Sequence, residues 1–271
     1  MATGASSSDL AIILIDARHG VVEQTKRHSF ITSLLGIKHI IIAINKMDLV
    51  EWSQETYEKI KGDYKDFAAK MVSDDVHFIP MSALLGDNVV EKSENMPWYD
   101  GSTLMHMLEN VYIGSDRNLR DFRFPVQYVN RPNLNFRGFC GTIASGIIRK
   151  GEEVMALPSR KTSRVKEIGT FDGELEEAHA PLAVTITLED EIDISRGDMI
   201  VRPGNVPRIE HKIDAMLVWM HDDAMVPGKQ YLIKQTTKVT SGTINTLRYR
   251  VDVNTLHRID APTLNLNEIG R

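Results

Sequence analysis

The sequence predicts a doubly wound α/β domain with a parallel sheet, followed by a small antiparallel β-barrel and an incomplete second β module. Three observations predict it. Asp9 to Asp16 (DLAIILID) and Ile40 to Ile44 are apolar runs with no polar alternation, the pattern of strands buried on both faces of a parallel sheet. Stretches with helical spacing lie between such runs, giving strand, helix, strand, helix, strand, helix, as in right-handed crossover units. Beyond about residue 115 the period falls to two and Gly or Pro turns recur, the pattern of antiparallel β structure.

The elements follow in order. Met1 to Ser8 is small and polar and reads as a frayed tail. Asp9 to Asp16 is the first strand, and Ala17 to Gly20 a turn. Val22 to Leu35 has helical spacing at Thr25, His28, Phe30, Ile31, Leu34 and Leu35, and Gly36 suits the position just past a helix end. The strand at 39–44 follows. Ser53 is a good N-cap for a helix over Gln54 to Met71. Val76 to Met81 is a third strand, and Gly101 or Ser102 starts a helix through Val111. Asp116 to Asp121 is a polar connector. Short strands are expected at Arg123–Val129, Gly141–Ile148, Glu153–Leu157, Thr162–Phe171 and Leu182–Leu188, with a hairpin turn at Asp172-Gly173 and another turn at Ser195 to Asp198. Three further strands are expected at Asp214–Met220, Lys229–Gln235 and Ser241–Val253. Arg196-Gly197-Asp198 reads as a turn rather than an adhesion motif.

Composition narrows the class. Hydrophobic residues make up 42% and charged residues 25% of the 271, ordinary for a soluble globular protein. The formal charge of −5 gives no electrostatic footprint for nucleic acid, so no nucleic-acid partner is expected. The single cysteine, Cys140, excludes an intrachain disulfide framework. No run approaches a membrane span and no secretory leader is read at the start, so no membrane partner and a cytoplasmic location are expected. The nine histidines show no metal-ligand spacing, and no metal ligand or catalytic residue is assigned.

The chemistry concentrates at Asn45-Lys46-Met47-Asp48, directly after the Ile run. Ligands of open α/β sheets bind beyond the carboxyl ends of the strands, which is where these residues fall. The Asp48 carboxylate can accept two parallel hydrogen bonds from the N1–H and 2-amino group of guanine. Adenine offers neither donor in that arrangement and would leave a carboxylate unpaired. The Lys46 stem can lie along the base, and the Asn45 amide can tie neighbouring loops. Three fixed residues in a four-residue window arise by chance about once in 8000 positions at even residue usage. Ser82-Ala83-Leu84 follows the strand at 76–81, and a backbone N–H at Ala83 can donate to the guanine O6. Together the stretches form a guanine-binding candidate: Asn45, Lys46, Met47, Asp48, Ser82, Ala83 and Leu84.

With these residues in hand, the chain resembles the elongation-factor-like GTPases: a partial P-loop GTPase domain over 1–115, a domain-II-like β-barrel over 116–206, and part of a domain-III-like module over 207–271. Within that superfamily it is most similar to the large-subunit family of sulfate adenylyltransferase. The stretches behind the narrower likeness are Met96 to Tyr99, Arg123 to Leu134 (RFPVQYVNRPNL) and Asp190 to Asp198. The resemblance implies GTP as ligand, with Mg²⁺ expected in the full protein. It implies a smaller partner subunit that joins ATP and sulfate into adenosine 5′-phosphosulfate and pyrophosphate, driven by GTP hydrolysis. The alternative is a fragment of a translation-type GTPase that binds the ribosome or tRNA. Translation factors do not share the Tyr-Val-Asn-Arg-Pro-Asn segment.

The sequence departs from the superfamily pattern in two respects. It contains no G-x-x-x-x-G-K-[ST], the loop whose N–H groups cradle phosphates, and no Asp-x-x-Gly that senses the γ-phosphate. The expectation is therefore an internal fragment, with Met1 an internal methionine and Mg²⁺ ligands missing. Such a fragment is expected to be inactive alone and to bind GTP weakly. The strand at 9–16 is expected to form an exposed apolar edge, with Ile42 or Ile44 partly wet.

Overall fold

The computed structural model describes all residues except 1, 70, 72–74, 115, 116, 134 and 135. Lys70 in the expected second helix, Asp116 in the connector and Leu134 in the barrel motif lie outside the described residues.

The chain opens with α1 (Ala2–Ala5), one helical turn where a frayed tail was expected. β1 (Leu10–Asp16), α2 (Glu23–Leu34), β2 (His39–Asn45), a 3₁₀ turn (Met47–Val50), α3 (Gln54–Ala68), β3 (Asp75–Pro80) and α4 (Leu104–Asn110) follow. The three strands form a parallel sheet in the order β1-β2-β3. Ile40, Ile41, Ile42, Ala43 and Ile44 are fully buried, as expected for a central strand covered on both faces. The expectation that Ile42 or Ile44 would be wet is therefore wrong. The wet residues are Ile12 and Leu14 on edge strand β1, 42% and 63% exposed, while Ile13 and Ile15 on its other face are buried.

α3 packs Tyr57, Ile60 and Tyr64 against Ile13, Ile15, Ile40, Ile42 and Ile44. Its N-cap is Ser53, whose hydroxyl accepts the Thr56 N–H at 3.2 Å. It ends at Ala68, short of Met71. α2 ends in a Schellman motif: the Gly36 N–H donates to Ser33 O and the Ile37 N–H to Thr32 O, with Gly36 at φ +78°. Its buried face differs from the apolar spacing, running through Thr25, Ser29, Ile31 and Thr32 while Leu35 is exposed. The buried hydroxyls are satisfied: Ser29 donates to Thr25 O, Thr32 to Ser29 O, and Tyr64 to Ser29 Oγ. The cap of α4 is Thr103, not Gly101 or Ser102, and its hydroxyl accepts from the His106 N–H.

The β structure then runs β4 (Arg123–Pro125), β5 (Tyr128–Asn133), β6 (Phe136–Thr142), β7 (Ile147–Arg149), β8 (Glu153–Leu157), β9 (Thr162–Thr170), β10 (Gly173–Leu175), β11 (Glu177–His179), β12 (Ala183–Leu188) and β13 (Met199–Val201). The main sheet has the order β4-β13-β8-β9-β12-β6-β5. Its two ends are consecutive in sequence. The Val126 N–H donates to Asp198 O on one side and the Gln127 N–H to Cys140 O on the other, so the sheet closes into a barrel. Phe122, Phe124, Phe139, Ile148, Ile168, Ile186 and Ile200 fill it. The single strand expected over 123–129 is split at Val126, and the strand expected over 141–148 is two strands, β6 and β7. The β9–β10 turn falls on Phe171-Asp172, one residue earlier than expected.

The remainder contains β14 (Leu217–Val218), β15 (Gln230–Gln235), β16 (Lys238–Thr243), β17 (Arg250–Val251), β18 (Arg258–Ile259) and β19 (Ile269–Gly270). β15 and β16 form a hairpin, and β14-β19-β17-β18 a small sheet. The long strand expected over 241–253 is thus broken. Contacts divide the chain into two compact units: Met1–Ile113 with Asp214–Pro227 and Thr246–Arg271, and Gly114–Ile213 with Gly228–Asn245. Among the described residues no helix is long and apolar enough to cross a membrane.

Candidate functional site

The parallel register sets Asp16 beside Asn45, so β1 and β2 both end in a polar residue at the same edge. The chain turns sharply after Asn45. Lys46 takes the left-handed conformation at φ +64°, uncommon for a residue with a side chain. The Asn45 side chain stabilises the turn. Its Oδ1 accepts the Lys46 N–H at 2.8 Å and, from 38 residues downstream, the Ala83 N–H at 2.9 Å. The two sequence stretches singled out above are thus joined by one amide oxygen. The expectation gave the Ala83 N–H to a guanine O6; here it is given to Asn45.

Backbone bonds reinforce the joint. The Met81 N–H donates to Ile44 O at 2.8 Å and the Met47 N–H to Met81 O at 3.2 Å. Met47 is fully buried and anchors the 3₁₀ turn that carries Asp48. Asp48 itself is half-buried. Ser82 is buried, its Oγ accepting the Leu85 N–H, whereas Leu84 is 86% exposed. Met47 and Ser82 therefore support the site from below, and Asn45, Lys46, Asp48, Ala83 and Leu84 sit at or near its surface.

The 82–88 loop is held from behind by Asp87. Its carboxylate accepts from Trp52 Nε1 at 2.9 Å, Ser93 Oγ at 2.5 Å and Asn95 Nδ2 at 3.3 Å. Asn88 donates to Pro80 O and accepts from the Ser93 N–H. Three donors on one nearly buried carboxylate make a rigid support.

Asp16 is the residue that sequence reasoning missed. Its carboxylate accepts Lys46 Nζ at 2.9 Å, Arg18 Nη2 at 2.6 Å, and Arg18 Nε and the Arg18 N–H at 3.0 Å each. The Arg18 hydrogen bonds, with that from Lys46, hold its carboxyl well below the usual carboxylate range. The Asp48 charge also acts on Arg18. The available signal was that both apolar runs end in a polar residue; only the register makes those residues neighbours. Among the described residues no group of three or more His, Cys, Asp or Glu is placed to hold a metal ion.

The comparisons with known proteins can be set against this geometry. Residues 1–114 match the family described as elongation factor Tu GTP binding domain, and residues 212–271 that described as GTP-eEF1A C-terminal domain-like. The whole chain is 69% identical to a bifunctional enzyme CysN/CysC of Rhodopirellula baltica, of which it covers 42%. It is 61% identical to sulfate adenylyltransferase subunit 1 of Saccharophagus degradans and 58% identical to that of Bacteroides fragilis, covering 57% of each. The chain thus spans about half the length of these curated relatives. A crystal structure of sup35 complexed with GMPPNP is a looser likeness, with a TM-score of 0.48 at 22% identity over 98% of this chain and 69% of that one.

Proposed function

We infer the function from kinship: the chain belongs to the family of sulfate adenylyltransferase subunit 1, within the proteins that carry the elongation factor Tu GTP-binding domain. We propose that it supplies the guanine site and the β modules of a GTP-binding subunit of sulfate adenylyltransferase. GTP hydrolysis on that subunit drives the union of ATP and sulfate into adenosine 5′-phosphosulfate and pyrophosphate on a smaller partner subunit. The compartment proposed is the cytoplasm. The domains proposed are 1–115, 116–206 and 207–271. Mg²⁺ accompanies GTP in this reading, and its ligands are not assigned to residues of this chain.

The observation that carries the guanine reading is the Asn45 bridge to Ala83, because it brings both base-reading stretches to one strand edge. The donor set suits guanine. Asp48 is the only carboxylate of Asn45-Lys46-Met47-Asp48, and in this reading it accepts the N1–H and the 2-amino group. The Lys46 stem, on a side chain 46% exposed, offers an apolar surface to one face of the base. Asn45 Nδ2 makes no hydrogen bond to a described residue, so it remains available as a donor.

Affinity co-purification with the tagged chain tests the subunit reading against delivery to the ribosome. Capture of a nucleotidyltransferase subunit of the ATP-pyrophosphatase type is expected. Capture of ribosomes or tRNA without such a subunit refutes the proposal.

A further inference from the structure

We propose that Asp16 is a positioning residue for the guanine site, acting through Lys46; this rests on the reading of 45–48 and 82–84 as that site. Lys46 leaves the chain from a left-handed residue, and its ammonium reaches back to the Asp16 carboxylate at 2.9 Å, across to the neighbouring strand. The side chain is therefore fixed at both ends. Its Cα is set by the Asn45 Oδ1 bond to the Lys46 N–H, and its Nζ by Asp16. Between these ends the four-carbon stem is tethered, one residue from Met47 and two from Asp48 in the chain.

Asp16 is suited to the task. It is itself fixed by Arg18 through three hydrogen bonds of 2.6–3.0 Å, two from the guanidinium and one from the backbone. Its side chain is 22% exposed, against 46% for that of Lys46, so the anchor is sheltered and the stem open. A free lysine samples many rotamers, and flattening its stem against a ring on binding costs entropy. A stem already tethered at both ends avoids part of that cost.

Two properties separate this from a structural role. The loss on removing Asp16 must fall on nucleotides that use Lys46 and Asp48, and it must vanish once the Lys46 ammonium is gone. The test is a double-mutant cycle on the 271-residue chain, with GDP and ADP affinities measured by ¹⁵N chemical-shift titration. Asp16→Asn is expected to weaken GDP about five- to tenfold, from the order restored to one long side chain, and to leave ADP unchanged. Lys46→Met keeps a similar stem without the ammonium, and adding Asp16→Asn to it is expected to cost nothing further. An unchanged GDP affinity in Asp16→Asn, an equal loss for ADP, or an equal loss in the Lys46→Met background overturns the proposal. If Asp16→Asn does not fold, Lys46→Met alone must show the same selective GDP loss, and its absence is equally fatal. Asp48→Asn is run in parallel. If it leaves GDP affinity intact, the base-site reading itself fails and takes this inference with it.

Discussion

Replacing Asn45 by Ala should cut the joint between 45–48 and 82–84, the two stretches proposed to read the base, and the structure sets the size of the effect. The substitution removes one oxygen that accepts two backbone donors, Lys46 N–H at 2.8 Å and Ala83 N–H at 2.9 Å. Both donor residues are exposed, so water replaces the lost acceptor and the cost stays near the low end, about 0.5–1 kcal/mol per bond. The turn also loses the contact that holds Lys46 left-handed. The expected total is therefore about 1–2 kcal/mol, with the backbone bonds among Ile44, Met47 and Met81 still in place. Locally, that lowers protection of the Ala83 amide from hydrogen exchange by about 5–30-fold. Asn45→Asp keeps an acceptor oxygen at the same position and is expected to retain most of the protection. Hydrogen exchange of the 82–88 loop, read residue by residue, measures both variants. Unchanged protection in Asn45→Ala, or an equal loss in both, refutes the claim that this oxygen joins the stretches.

Other predictions follow from particular contacts. Leu14 and Ile12 stand exposed on edge strand β1, which among the described residues pairs only with β2, so the chain is expected to self-associate. Leu14→Lys should shift it toward monomer by light scattering; a parent chain that is monomeric at every concentration contradicts the reading. Gly146 sits at φ +81°, and a Cβ there would come within 2.5 Å of Phe122 N and 2.7 Å of Asp121 C. Gly146→Ala should cost about 2–3 kcal/mol in chemical denaturation, combining left-handed strain with a backbone clash, and a loss under 1 kcal/mol would count against the packing described. Burial pushes the Tyr99 hydroxyl up to about 12 and Tyr57 higher still. Because the folded state holds these protons more tightly than the unfolded chain, their stabilising effect is complete below about pH 10 and fades as pH rises through the folded values. Denaturation midpoints should therefore fall above about pH 10, with these two phenols ionising only on unfolding. Ordinary titration of Tyr57 and Tyr99 in the folded chain would contradict it.

Legibility in the sequence followed the range of the forces involved. The Ile40–Ile44 run announced a strand covered on both faces because each of its residues is apolar, whatever its partners. Ser53 and Gly36 marked helix ends because capping is local. α2 was misread in its facing because its buried stripe carries Thr25, Ser29 and Thr32. Their hydroxyls are satisfied within the helix and by Tyr64, a partner 35 residues away. β6 and β7 were fused because the turn at Gly146 depends on a close approach to Phe122. At the candidate site, Asn45, Lys46 and Asp48 stand out in the sequence because they are contiguous or nearly so. Asp16 was not, since strand register alone brings it to Lys46. The bond from the Ala83 N–H to Asn45 is likewise invisible in the sequence, because its partners lie 38 residues apart.

The most direct test of the central claim is a ¹⁵N titration of the 271-residue chain with GDP and with ADP at matched millimolar concentrations. With no Gly-rich phosphate loop in its sequence, the chain is expected to bind weakly. The base should nevertheless be read: GDP should shift the Lys46, Asp48 and Ala83 amides, and ADP should leave them in place. Asp48→Asn opposes a donor amide to the base donors, and the loss of about 2–4 kcal/mol should abolish the GDP response at these concentrations. Equal shifts with ADP, shifts confined to other residues, or an undiminished response in Asp48→Asn would contradict the account.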